Sequence, residues 1–140
     1  MKFAFFRSKK KNERVTAAHL KSGAQGEEYA ARLLKKAHYK IIERNFRTPI
    51  GEIDIVARDG ECLVFVEVRT RRSIAYGLPQ ETIDARKRER LHKAARWYLQ
   101  KHRLDDVPCR FDVVAVVRTD ENTEPDAEII KDAFRPEKNY

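Results

Sequence analysis

The apolar residues of GAQGEEYAARLLKKA, from about Gly23 to Ala37, recur at helical spacing, with Ala30, Ala31 and Leu34 on one stripe that Leu33 and Ala37 widen. His38 to Phe46, HYKIIERNF, predicts a first strand, which Thr48 and Pro49 end. Gly51 to Thr70, GEIDIVARDGECLVFVEVRT, predicts a β-hairpin whose two loop residues are Asp59 and Gly60, the dipeptide that suits a type I′ turn. A second helix is expected from Ile83 or Asp84 to His102. Its core stripe is Leu91, Ala94, Ala95, Tyr98 and Leu99, Trp97 lies to one side, and Thr82 or Asp84 is the N-cap. RFDVVAVVRT, Arg110 to Thr119, is nearly continuous in apolar residues and predicts a strand buried on both faces, reached by a parallel crossover through the preceding helix. Ala127 to Phe134 predicts a short last strand at a sheet edge. The order α-β-β-β-α-β-β gives an α/β class, a central mixed sheet flanked by helices.

Several acids break this pattern. With Asp59 and Gly60 as the loop, Arg58 faces Glu61, Val56 faces Leu63, Asp54 faces Phe65 and Glu52 faces Glu67. Glu52, Asp54, Glu67 and Arg69 then emerge on one face, with Asp54 and Glu67 as diagonal neighbours about 7 to 8 Å apart. Val56, Leu63 and Phe65 share that face, so the carboxylates are expected to be partnered or to hold a metal rather than to sit in water. On the first helix Glu27 falls on the buried stripe, in register with Leu34. Two readings of Glu27 stay open: a first-turn carboxylate stabilised by the helix dipole, or an acid turned inward for a purpose. Gly23 and Gly26 would let another backbone approach.

Composition adds a polyanionic partner. The 140 residues suffice for one domain, and 30 Lys and Arg against 22 Asp and Glu give a net charge of +8. The expected layout is a flexible basic arm over 1–15, a folded domain over 16–135 and a tail over 136–140. Arg71 and Arg72 after the hairpin, and Arg86, Arg88 and Arg90 on the second helix, are candidates for nucleic-acid backbone contacts. Tyr76 is either a base-stacking residue or a packing aromatic. No apolar run reaches the length of a membrane span, so a cytoplasmic protein with no membrane partner is expected. Cys62 and Cys109 lack the count and spacing of a zinc site or disulfide framework and are expected as reduced, packed thiols.

Three carboxylates, Glu27, Asp54 and Glu67, beside basic surface suit a hard, oxygen-ligated cation, Mg²⁺ or Mn²⁺. Asp54, separated by twelve residues from Glu67-Val68-Arg69, resembles the PD-(D/E)xK nuclease core, and it falls on a predicted hairpin as that core requires. The blocks GAQGEEYAARLL, RNFRTPIGEIDIVARDG, LVFVEVRTR, GLPQETIDARKRERL and RFDVVAV resemble, in order and spacing, the YraN-like family of predicted bacterial endonucleases, which looks related to archaeal Holliday-junction resolvases. The similarity runs over about 20–135. It implies a restriction-endonuclease-like fold and a metal-dependent endonuclease that hydrolyses phosphodiester bonds in DNA, including branched or junction DNA, and it is compatible with a homodimer. Carried over, the motif acids are Glu27, Asp54 and Glu67, and Arg69 stands where the pattern has lysine. Glu52, Gln80 and Lys87 are second-tier positions. An arginine can support developing phosphate charge but is too basic a residue type to shuttle a proton, which keeps a non-catalytic nucleic-acid-binding module as the alternative. A protein-interaction factor is a weaker third reading.

Overall fold

Two helices cover opposite faces of one mixed sheet. The computed structural model describes residues 2–7, 23–71, 83–117 and 124–135. Its elements are β1 (Lys2–Arg7), α1 (Gly23–Lys36), β2 (Lys40–Arg47), β3 (Glu52–Asp59), β4 (Cys62–Arg71), α2 (Ala85–Lys101), β5 (Cys109–Val117) and β6 (Asp126–Phe134). The sheet order is β1-β6-β5-β4-β3-β2. Only β4 and β5 run parallel, joined by the crossover through α2, and the other four pairings are antiparallel.

The α-β-β-β-α-β-β order expected from the periodicity is present. One strand more precedes it: Lys2–Arg7, expected to belong to a flexible arm, pairs with β6. That strand satisfies backbone groups that β6 would otherwise leave open, so β6 is an interior strand and not an edge. The remainder of the expected arm and the tail lie outside the described residues.

Alternation along β4 and β5 builds two cores. Leu63, Phe65, Phe111, Val113 and Ala115 face Leu91, Ala94, Ala95 and Tyr98 of α2. Val64, Val66, Val114 and Val116 face Ala30, Ala31, Leu33 and Leu34 of α1. A strand covered on both faces has no polar side to show, which is why β5 reads as a continuous apolar run. Its one acid, Asp112, is fully buried. It accepts hydrogen bonds from Tyr39 Oη (2.8 Å), Arg110 Nε (2.9 Å) and the Asp132 amide (3.0 Å). Arg110 Nη2 also donates to Asp59 at 2.6 Å.

That contact moves the hairpin turn. Asp59 pairs with Cys62, and Ile55 with Val66, so the loop residues are Gly60 and Glu61 rather than Asp59 and Gly60. Held by Arg110 and, at 3.4 Å, by Lys131, Asp59 stays in the strand, and only Gly60 takes positive φ, +62°. The register slides by two residues, so that Asp54 and Glu67, expected as diagonal neighbours within the ladder, each come immediately after its last pair, Ile55 with Val66. Asp84 is the N-cap of α2, its side chain accepting the Lys87 amide. Cys62 is half-buried, whereas Cys109 is exposed rather than packed; both are free thiols.

Candidate functional site

The site begins at a fault shared by two strands. Arg44 pairs with Ile55 and Phe46 with Ile53, which leaves Asn45 opposite Asp54. Residues two apart in a regular strand share a face. Here Ile55 lies in the α1 core and Ile53 in the α2 core. Likewise Arg44 Nη1 lies 2.7 Å from Glu28 of α1, whereas Phe46 packs edge-on against Tyr98 of α2. Asn45 takes the left-handed backbone, φ +53°, which a short polar side chain tolerates better than most. With its amide nitrogen turned to the acid, Asn45 donates to both Glu27 oxygens, at 2.8 and 3.3 Å.

Asp54 therefore leaves the single acidic face expected for it and stands at the break, between the layers. Its Oδ2 accepts the backbone N–H of Val68 at 2.8 Å, just past the last paired residues of β3 and β4. Glu27 reaches toward Asp54 from α1, near enough for the Asp54 charge to act on its carboxyl. Gly26 permits the approach: a Cβ there would lie 2.4 Å from Thr70 Oγ1. From β4 comes Glu67, only 6% exposed, with Lys87 Nζ of α2 3.6 Å from its Oε1.

Burial raises the pKa of all three acids above the ordinary carboxylate range. Glu67 is pushed up to about 7, the neighbouring Asp54 charge adding to burial while Lys87 and Arg69 oppose it. At Asp54 burial is opposed by the Val68 N–H and by Lys87. At Glu27 the Asp54 charge adds to burial, and Arg44 opposes. Closely set acids that resist ionising together form a site that positive charge would stabilise.

A profile of the uncharacterised protein family UPF0102 matches residues 26–116, a span from the start of the acid cluster to the end of β5. The chain belongs to the UPF0102 family. A UPF0102 protein of Moorella thermoacetica is 49% identical over 120 residues, 86% of this chain and all of the relative. One of Dehalococcoides mccartyi is 50% identical over 116 residues, 83% of this chain and 94% of the relative. One of Syntrophus aciditrophicus is 50% identical over 116 residues, 83% of this chain and 90% of the relative. The YraN-like resemblance of the sequence is met at this family level.

In this UPF0102 protein the three acids form a chain with Asp54 at its centre, each outer acid interacting with Asp54. Among the described residues no three His, Cys, Asp or Glu side chains already surround one cation position. The three-carboxylate cage expected from the sequence is thus replaced by a cross-strand pair, Asp54 and Glu67, with Glu27 holding Asp54 from the other side. The donors still fit a hard divalent ion, because Mg²⁺ commonly takes one or two carboxylates and completes its shell with water and phosphate oxygens.

Other predicted residues separate. Glu52 is exposed beside Arg47 (3.7 Å), though its charge still acts on Asp54. Arg69 is half-buried and acts on Glu67. Arg86 and Arg90 are exposed on α2 and Arg71 is half-buried at the end of β4. Arg88 donates its Nε to the Ile83 carbonyl at 2.9 Å, which braces the start of the helix. Arg72, Tyr76 and Gln80 lie outside the described residues. Asn45 was not predicted; its signal was an asparagine, a weak strand former, inside an otherwise strand-like segment.

Proposed function

We propose that this protein is a divalent-metal-dependent endonuclease acting on DNA, with Asp54 and Glu67 as the carboxylates that seat the ion and Glu27 holding Asp54 in place. One observation carries this reading: Asp54 sits between two other acids, burial raises all three, and Lys87 and Arg69 stand beside Glu67. The likeness of Asp54, Glu67 and Arg69 to the PD-(D/E)xK motif supports the same chemistry. So does the site's position, near the carboxyl end of β4 where β3 and β4 part, next to the start of α2.

Asp54 and Glu67 would hold a divalent ion here, which when bound would supply Lewis-acid polarisation of a phosphate oxygen and of a water. The chain's own groups do the rest. Glu67 and Asp54 fix the ion's position, and the Val68 amide and Asn45 keep Asp54 and Glu27 from turning away. Lys87 and Arg69 offset negative charge as it builds on phosphate oxygens. Arg86 and Arg90 on the exposed face of α2 contact phosphates on either side of the bond, without reading sequence.

The test is cleavage of duplex, flap and four-way junction DNA with Mg²⁺, Mn²⁺ or EDTA. Cutting should need the ion and vanish in Asp54→Ala and Glu67→Ala; cutting that ignores EDTA, or survives both changes, rules the mechanism out. A second reading, a nucleic-acid-binding module without catalysis, draws on Arg69 at the lysine position of the motif. It calls for binding that weakens steeply with salt, leaves DNA intact and is preserved or strengthened when the acids are removed.

A further inference from the structure

Lys87 occupies the first turn of α2, its backbone N–H donated to Asp84 Oδ1 at 2.8 Å. Arg86 and Arg88 flank it, and the turn contains no acid. Cations at a helix N-terminus stand against the positive end of the dipole, where carboxylates are the stabilising choice. A lysine kept there has a counter-charge elsewhere. The fold supplies it in Glu67, 3.6 Å from Nζ, and in Asp54, on which the Lys87 charge also acts. Lys87 is about one-third exposed and Glu67 almost wholly buried, so the ammonium is positioned at the mouth of the acid pair, with donors left over for a ligand.

Arg69 reaches the same acid from β4. The two cations are not equivalent. A guanidinium spreads its charge over a plane and donates in a fixed fork, whereas an ammonium is a compact charge whose three donors rotate freely. The compact group suits a position shared between a buried carboxylate and one phosphate oxygen. The planar group suits two oxygens of a phosphate at the rim.

We propose that Lys87 supplies the lysine of this site, presented from the helix, with its ammonium on the phosphate that is cut, while Arg69 at the strand position grips the substrate without replacing it. The inference rests on the nuclease reading above. It places the catalytic cation on a different element from the two carboxylates, so docking of α2 against β4 assembles the site.

The full chain is compared with Lys87→Met, Lys87→Arg and Arg69→Met, measuring the cutting rate at saturating DNA with Mn²⁺ and, separately, DNA affinity with Ca²⁺ in its place. Lys87→Met should lower the saturated rate by about a hundredfold or more while shifting DNA affinity by less than about threefold. Lys87→Arg, which keeps the charge, should recover part of the rate, and Arg69→Met should act mainly on affinity. The opposite split, a large rate loss in Arg69→Met with Lys87→Met near wild type, overturns the assignment. A calorimetric Mn²⁺ titration without DNA needs no turnover: removing the ammonium beside Glu67 should tighten Mn²⁺ binding about fivefold or more. Unchanged Mn²⁺ affinity in Lys87→Met shows that the ammonium does not share the acid site and overturns the inference. Wild-type protein that binds Mn²⁺ but cuts no DNA removes the nuclease reading, and this inference with it; wild type and Lys87→Met cutting alike remove this inference alone.

Discussion

The carboxylate of Asp54 accepts the backbone N–H of Val68 at 2.8 Å, one strand's side chain taking an amide that the ladder between β3 and β4 no longer pairs. Asp54 is thereby fixed in position while its charge acts on both Glu27 and Glu67, an arrangement that orders the acid cluster at the expense of charge repulsion. Asp54→Asn keeps an oxygen for the Val68 amide and removes the central charge. The variant should melt higher than wild type in EDTA at pH 8, by several degrees, as about 1 kcal/mol produces in a domain of this size. Mn²⁺ should raise the wild-type melting temperature and leave the variant's unchanged. A variant that melts lower in EDTA would mean that the carboxylate is not strained by its neighbours.

The elements themselves were legible because each is locally consistent: the stripes of α1 and α2, the unbroken apolar run of β5 and the Asp84 cap all follow from spacing and residue type. The acids Glu27, Asp54 and Glu67 were also legible, since each is an ionisable residue at a position the pattern marks as apolar. What the pattern could not carry was the break at Asn45 and Asp54, because strand alternation is assumed to persist until something tertiary interrupts it. The turn shift has the same origin. Asp59 and Gly60 are a good local turn, but Arg110, 51 residues away in sequence, claims Asp59 at 2.6 Å. No local signal encodes that contact, nor the pairing of β1 with β6.

Gly26 tests how tightly α1 must dock for the site to form. An added Cβ would sit 2.4 Å from Thr70 Oγ1 and 3.9 Å from Val68 Cγ1, so Gly26→Ala forces either Thr70 to rotate or the start of α1 to lift, carrying Glu27 away from Asp54. Mn²⁺ affinity should fall about tenfold, the loss typical when a group supporting a metal ligand is disturbed. In Gly26→Ala/Thr70→Ala the obstructing hydroxyl is gone. That double variant should recover the affinity and, with alanine replacing glycine inside a helix, exceed Thr70→Ala in stability by about 1 kcal/mol. Purely additive effects of the two substitutions on Mn²⁺ affinity would show that the Gly26 contact does not set the position of Glu27.

Glu67 predicts how stability and metal affinity depend on pH. Burial raises its carboxyl from an ordinary 4.5 to about 7, so between those values the folded chain holds a proton that the unfolded chain has released. The contribution is fully stabilising below pH 4.5 and is lost as pH rises through about 7. Glu67→Gln stays neutral throughout. In urea titrations with EDTA, the wild type should lose stability relative to Glu67→Gln between about pH 5 and 8, by an amount on the order of 2–3 kcal/mol. Curves that run parallel over this interval would show that Glu67 ionises as an ordinary surface acid. A divalent ion replaces the proton, so adding Mn²⁺ at pH 8 should return the wild type's lost stability and do little for Glu67→Gln. Because proton and ion compete for one carboxylate, Mn²⁺ affinity of the wild type should climb steeply up to about pH 7 and level off above it, and that inflection should be missing from the Glu67→Gln profile.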